Sequence, residues 1–197
     1  MIACLIFDCD GTLVDSERLC MEAFVSTLSL LDVVLEVDDC LIRYRGWQVA
    51  AMIADVERRM MCTIGDEFIP KYRERELELL DQLRPISGVL LALTQLTLPK
   101  CVASSGPLHK IKHSLQTTGL SHYFSENIFS SYEIKRWKPE PDIFLHAAKT
   151  MGFLPSQCAV IEDSWVGVEA ALAAQMNVFY FCPHQDAATI YGVTTFQ

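Results

Sequence analysis

The sequence predicts an α/β protein, in which a doubly wound parallel sheet carries an inserted α-helical bundle. Short, continuous apolar runs recur along the chain, which is typical of strands buried on both faces of a parallel sheet. Segments of helical periodicity separate these runs, so that strands and helices alternate. Residues 16–84 break the alternation with helical patterns. We therefore expect a core domain of residues 1–15 and 85–197 and a helical domain of residues 16–84.

Each apolar run is predicted to form one strand of the sheet. The first lies at residues 3–7 and ends at Asp8. Each run is far shorter than the ~20 residues that a membrane-spanning helix requires. The later runs lie at residues 100–104, 127–130, 158–162 and 178–182.

Helices are predicted between these strands. Pro107 is a favourable first residue for a helix over 107–117, because the first turn of a helix needs no N–H from that position. A helix over 141–151 is predicted to end before Gly152, since glycine commonly terminates helices. The Ala-rich residues 165–174 are predicted to form a third helix.

The inserted segment is predicted to be helical almost throughout. Apolar residues recur at helical spacing over 21–28, 49–60 and 79–83. Residues 30–37 carry a weak strand-like pattern. We therefore expect a helical bundle there rather than a second sheet.

Composition limits the functions that this chain can have. Hydrophobic residues make up 51% of the 197 residues and charged residues 21%, which indicates a folded globular protein. Sixteen basic and twenty-five acidic residues give a net charge of −9, which disfavours nucleic acids and anionic membrane surfaces as partners. The eight cysteines form no CxxC pair, which gives a structural zinc site little support. No signal peptide precedes the first strand, so we expect the reducing cytoplasm. We also expect a monomer.

Polar side chains follow the predicted strands at their carboxyl ends, where doubly wound sheets bind their ligands. The carboxylates among them would repel one another without a cation, and their oxygen atoms suit Mg²⁺. Hydroxyl, ammonium and main-chain N–H groups suit a phosphate. These residues are Asp8, Asp10, Thr12, Ser104, Ser105, Lys138, Glu162 and Asp163.

Each of these residues also has an ordinary structural interpretation. An aspartate that ends a strand often only caps a turn, Ser104 could be a turn serine, and Lys138 could be a solvated loop lysine. Their occurrence together, each at or near a predicted strand end, favours a catalytic site. A carboxylate there can act as a covalent nucleophile, and a second carboxylate two residues later can act as acid and base.

Four segments resemble the four motifs of the haloacid dehalogenase (HAD) superfamily, and the resemblance covers essentially the whole chain. The superfamily implies a Rossmann-like core with strand order 5-4-1-2-3 and, in the sugar-phosphatase and β-phosphoglucomutase-like group, a helical cap after the first motif. The segment around Lys138 is similar to that of bacterial 6-phosphogluconate phosphatases. The four segments are Asp8-Cys-Asp-Gly-Thr-Leu-Val-Asp-Ser-Glu17, Val102-Ala-Ser104, Lys138-Pro-Glu-Pro-Asp142 and Ile161-Glu-Asp-Ser164.

The resemblance implies the catalytic and metal-binding roles. Asp8 matches the nucleophile and a metal ligand, and Asp10 matches the general acid and base, with its main-chain carbonyl on Mg²⁺. Asp163 matches a direct Mg²⁺ ligand. Glu162 matches a ligand that acts through water or from the next layer of residues.

The phosphate-binding roles follow from the same resemblance. Ser104 and Lys138 match the phosphate binders, Ser105 adjoins the first of them, and Thr12 lies where the family steadies the second aspartate beside the phosphate. The resemblance thus implies a Mg²⁺-dependent phosphatase that acts through an aspartyl-phosphate. Its expected substrates are small phosphorylated metabolites, such as sugar or sugar-acid phosphates including 6-phosphogluconate.

Two alternatives remain open at this point. A phosphohexomutase would need a second phosphate clamp, but Val49 and Pro107-Leu108 occupy the positions where such mutases carry basic and amide residues. A non-catalytic binding protein on the same fold would not need to retain all the motif residues.

Candidates for substrate specificity are Arg45, Gly46, Trp47 and Trp137.

Overall fold

In a computed structural model of the chain, the structure describes residues 1–44, 46–181 and, for the main chain, 194–196. It divides into two compact units. One combines Met1–Asp15 with Arg84–Gln197, and the other is Ser16–Leu83. The division falls one residue before the boundary expected at 85.

The larger unit contains a parallel sheet with strand order β3-β2-β1-β4-β5-β6. The α/β fold class is therefore confirmed, and the order of the first five strands is the expected one. The short edge strand β6 was not predicted as a strand. The strands are β1 (Cys4–Phe7), β2 (Lys100–Ser104), β3 (Ile128–Ser130), β4 (Cys158–Glu162), β5 (Asn177–Phe181) and β6 (Thr194–Phe196).

The smaller unit is helical, as its sequence pattern predicts. Its helices are α1 (Glu17–Ser29), α2 (Val37–Tyr44), α3 (Val49–Met60) and α4 (Phe68–Leu80). Phe24 lies at the centre of its core, with its ring 5.5 to 6.2 Å from those of Tyr44, Phe68 and Tyr72.

Residues 30–37, which carry a weak strand-like pattern, form no strand, in agreement with the expected helical insert. The segment is a connection between α1 and α2, and its main chain turns at Asp32, where φ is +59°. Leu30 and Val34 are each 73% exposed, whereas Val33 is buried in the core of the helical unit, where its neighbours belong to helices rather than to strands.

Helices flank the sheet of the larger unit. Apolar side chains of β1, β2 and β4 form one core with those of α9 and α10, which fixes the strand ends relative to one another. No helix of the described residues is long and apolar enough to cross a membrane. The helices are α5 (Val89–Gln95), α6 (Leu108–Thr117), α7 (Ser121–Phe124), α8 (Ser131–Ile134), α9 (Asp142–Met151) and α10 (Trp165–Ala173).

Candidate active site

The turn that follows β1 begins with Asp8, whose N–H donates to the carbonyl oxygen of Ile161 on β4 at 2.9 Å. Main-chain hydrogen bonds close the turn over residues 9–14. Gly11 has a φ of +81°, and a Cβ there would overlap the Asp163 carboxylate. Glycine at this position therefore lets the turn approach the end of β4 closely.

A buried ion-pair network connects β1, β4 and the segment before α9. The Lys138 ammonium lies 2.5 Å from Asp8 Oδ1 and 2.6 Å from Glu162 Oε1. All three side chains are at least nine-tenths buried. One cation therefore holds two carboxylates together in a place where water cannot screen their repulsion.

Burial and charge shift the pKa values of this network in opposite directions. Burial raises the pKa of the Asp8 carboxyl to about 7, against the opposing effect of the Lys138 charge. Burial by itself lowers the pKa of Lys138, but the charges of Asp8 and Glu162 outweigh it and hold that pKa above its ordinary value. The lysine therefore stays protonated at neutral pH.

Glu162 is fixed from its other side by the start of α10. Its Oε2 accepts hydrogen bonds from the N–H and hydroxyl of Ser164, at 2.6 and 2.9 Å. The Ser164 hydroxyl also accepts from the N–H of Gly167 at 3.2 Å, which caps the helix. A Cβ at Gly167 would overlap the Glu162 carboxylate, so the helix packs directly against it.

Asp163 lies against the turn after β1. The Thr12 hydroxyl donates to Asp163 Oδ1 at 3.0 Å, and both residues are buried. Thr12 was predicted near the phosphate, and here its side chain orients a predicted metal ligand.

Two carboxylates of the site are candidates for holding Mg²⁺. Within the described residues, no three or more His, Cys, Asp or Glu side chains are grouped so that they could hold a metal ion. Mg²⁺ commonly needs only one or two carboxylates, with waters and substrate phosphate as its other ligands. Asp8 and Asp163, which end neighbouring parallel strands, provide two such carboxylates.

The loop after β2 carries the predicted serines. Ser104 is buried, and its hydroxyl accepts from the N–H of Gly106 at 3.1 Å. The Ser130 hydroxyl donates to the carbonyl oxygen of Gly106 at 2.6 Å, which ties the loop to the end of β3. Ser105 is half-buried in the same loop.

The sequence did not identify Lys110, which pairs with Asp10. Its ammonium lies 3.0 Å from Asp10 Oδ1 and 2.9 Å from Oδ2. Lys110 is in the first turn of α6 and is 7% exposed. The sequence did offer one signal for Lys110, which is its position in the first turn of the helix that follows β2. Such a helix begins at the edge of the sheet where doubly wound folds bind their ligands.

The specificity candidates lie in both units. Within the helical unit, Gly46 has a φ of +76°, and the half-exposed Trp47 packs against Tyr44 with ring centroids 5.5 Å apart. Arg45 lies outside the described residues. In the larger unit, Trp137 packs edge-on against Tyr132 at 5.5 Å. Their roles in specificity stay predictions.

Two phosphatases are similar to this chain over most of its length. The 6-phosphogluconate phosphatase of Escherichia coli K12 is 37% identical over 199 residues, which cover 99% of this chain and 90% of the relative. The fructose-1-phosphate phosphatase YqaB of the same strain is 30% identical over 182 residues, which cover 88% and 93%.

Solved structures agree with this similarity. A haloacid dehalogenase-like protein of unknown function from Agrobacterium tumefaciens is 33% identical, with a TM-score of 0.81 over 92% of this chain and 83% of that protein. A HAD family hydrolase from Deinococcus radiodurans, solved with bound phosphate and sodium, is 27% identical, with a TM-score of 0.73 over 95% and 85%.

A family model for haloacid dehalogenase-like hydrolases matches residues 2–175. Together with the similar phosphatases, this match confirms the resemblance to the haloacid dehalogenase superfamily and the prediction of a HAD-type phosphoric monoester hydrolase. The chain belongs to the haloacid dehalogenase-like hydrolase family.

Proposed function

We propose that this chain is a Mg²⁺-dependent phosphatase of sugar and sugar-acid phosphates that forms an aspartyl-phosphate on Asp8. The observation that carries the proposal is the buried pair of Asp8 and Lys138, 2.5 Å apart at the carboxyl end of β1. A carboxylate held beside an ammonium is a nucleophile with a cation at hand for the charge of a phosphoryl group.

The reaction proceeds in two displacements. In the first, a carboxylate oxygen of Asp8 bonds to phosphorus while the ester P–O bond breaks, and the protonated Asp10 gives its proton to the leaving sugar oxygen. In the second, water bonds to phosphorus and gives a proton to Asp10 while the bond from phosphorus to Asp8 breaks. The products are the free sugar and inorganic phosphate, and both aspartates return to their starting states.

Asp8, Asp163 and the main-chain carbonyl of Asp10 would hold the Mg²⁺, with Glu162 behind them. When bound, the ion supplies positive charge for the oxygens of the transferring phosphoryl group. Lys138 would add its own charge beside Asp8, and Ser104 and Ser105 would orient the phosphate by hydrogen bonding.

6-Phosphogluconate is the first substrate to test, because the relative with 37% identity is named for its hydrolysis. Fructose 1-phosphate follows for the same reason. The expected location in the cytoplasm and the expected monomeric state stay predictions.

Phosphate release from a panel of sugar phosphates, polyol phosphates and nucleotides tests the proposal. We expect hydrolysis of sugar or sugar-acid phosphates that stops with excess chelator and returns with Mg²⁺. Ca²⁺ should inhibit, because its larger and looser coordination disturbs the in-line arrangement. Full activity in excess chelator would contradict the metal requirement. With β-glucose 1-phosphate, glucose 6-phosphate without free phosphate in the ³¹P NMR spectrum would identify a mutase instead.

The variant Asp8→Asn tests the nucleophile. It removes both the attacking oxygen and a metal ligand, so we expect kcat to fall by at least about 10³-fold. Acid-quenched enzyme should carry phosphate on Asp8 in the unaltered protein and none in the variant. Cys9→Ser is the control, because Cys9 is buried in the turn that follows β1 and has no part in the proposed reaction. Phosphate on Cys9 or Ser104 would show that the assignment of the nucleophile is wrong.

A further inference from the structure

Lys110 contacts both carboxylate oxygens of Asp10, at 3.0 and 2.9 Å. A contact to both oxygens restricts the rotation of the carboxylate as well as its place, which a contact to one oxygen would not do. The lysine side chain is 8% exposed and that of Asp10 is 28% exposed. The buried partner is thus the lysine, and the carboxylate remains open to solvent.

The helix that carries Lys110 is anchored where the loop after β2 ends. Ser130 and Ser104 each hold Gly106 by a hydrogen bond, at 2.6 and 3.1 Å, and α6 begins two residues later. A Cβ added at Gly106 would lie 3.7 Å from Asp10 Oδ2 and 3.5 Å from the Ser104 hydroxyl. The loop, the phosphate-binding serine and the Asp10 carboxylate are therefore immediate neighbours.

We propose that Lys110 is a positioning residue, which holds the Asp10 carboxyl in the orientation needed for both proton transfers. The inference rests on the proposed function. Asp10 must reach the leaving oxygen in the first displacement and the attacking water in the second. A carboxyl that turns away in either step transfers its proton less often, because proton transfer requires hydrogen-bond distance and alignment.

Stability alone is a weak explanation for this pair. Removing an ammonium group from water is unfavourable, and an apolar side chain of similar volume often stabilises a buried site at least as well. A lysine at this buried position is better explained by what it does to Asp10.

The variant Lys110→Met keeps the length of the side chain and removes the ammonium. With 6-phosphogluconate or another alkyl phosphate that the unaltered chain hydrolyses, we expect kcat to fall by about 10²-fold, while KM changes by less than about threefold. Lys110→Arg should recover most of kcat, since the guanidinium can also contact both oxygens. Lys112→Met is the matched control, because Lys112 is on the same helix with a side chain 51% exposed.

The leaving group separates positioning from a general loss of structure. p-Nitrophenolate leaves without a proton, so the first displacement on p-nitrophenyl phosphate should stay fast in Lys110→Met. The second displacement still needs Asp10, so we expect a burst of nitrophenolate followed by slow turnover. The ratio of burst rate to steady rate in one preparation does not depend on the folded fraction. Lys110→Gln, which retains a hydrogen-bond donor, provides a second variant with the same expected burst.

Three results would overturn the inference and leave the proposed function standing. The first is an unchanged kcat in both Lys110→Met and Lys110→Gln. The second is a raised KM with kcat unchanged, which would make Lys110 a substrate-binding residue. The third is an equal loss in the first displacement for alkyl and nitrophenyl esters. Absence of phosphatase activity in the unaltered chain would instead overturn the proposed function, and this inference with it.

Discussion

Lys138 is the cation on which the charge balance of the site depends. It contacts the buried carboxylates of both Asp8 and Glu162, and it lowers the Asp8 pKa that burial and the Glu162 charge raise. The proposed role of Asp8 as a nucleophile requires its ionised form. The protonation of Asp8 is therefore sensitive to this one side chain.

Lys138→Met is expected to lower kcat/KM by about 10²–10³-fold, because a charge beside the transferring phosphoryl group is lost. The pKa of Asp8 should then rise, because the Lys138 charge that lowers it is lost. A larger fraction of Asp8 is protonated at neutral pH, so the acidic limb of the pH–rate profile should move to higher pH. The exposed Lys149→Met, on α9, is the control and should leave the profile unchanged. A shift toward lower pH in Lys138→Met would contradict this account.

Single residues differ in how far the sequence could predict them. Asp8, Asp10 and Lys138 were recognised from their order along the chain and from the resemblance. Lys110 was not, because a lysine near the start of an amphipathic helix usually indicates a solvated face. Its burial depends on how α6 is oriented on the sheet, which a local pattern does not contain.

At the scale of secondary structure, α10 is built around a close approach to the active site. Gly167 is the third residue of this helix, and its N–H donates to the capping Ser164. Alanine would normally stabilise a helix interior relative to glycine by about 1 kcal/mol. Here the added Cβ would overlap the Glu162 carboxylate, so the steric effect opposes the propensity.

We expect Gly167→Ala to lower the free energy of unfolding by about 1–3 kcal/mol, as overpacking of a buried site commonly does. It should also lower kcat, because Glu162 must shift and Lys138 with it. Gly65→Ala is the matched control, since no heavy atom lies within 4 Å of its added Cβ and its main chain is unstrained. Thermal unfolding followed by circular dichroism measures the stability of both variants, and phosphate release measures their kcat. A Gly167→Ala protein as stable and active as the Gly65→Ala protein would contradict the proposed packing.

Strands and helices could be predicted where their burial is uniform. The runs at 100–104 and 158–162 match β2 and β4 residue for residue, because strands buried on both faces read as continuous apolar segments. The segment 30–37 has the same kind of residues without a sheet to join, and β6 is a three-residue edge strand without an apolar run. Both depend on neighbours that are distant in sequence.

The whole molecule consists of two units, each with a hydrophobic core of its own. The core of the larger unit joins the sheet to α9 and α10, while the core of Ser16–Leu83 is centred on aromatic rings. Strand order was available only through the family resemblance, since the apolar runs do not specify which strands pair. The expected limits of the insert, 16–84, came from the sequence, because the alternation of strand and helix stops there.

Separate cores predict that the two units can open separately. Phe24→Ala removes the ring that contacts Tyr44, Phe68 and Tyr72, and such a truncation destabilises a core by about 3–5 kcal/mol. Regions of a protein open with different free energies when their buried contacts are distinct. In native-state hydrogen exchange we therefore expect faster exchange in peptides from Ser16–Leu83 and unchanged exchange in β1, β2 and β4. Leu30→Ala is the control, since this side chain is 73% exposed. Equal acceleration in the helical unit and the sheet would show that the two cores unfold as one cooperative unit.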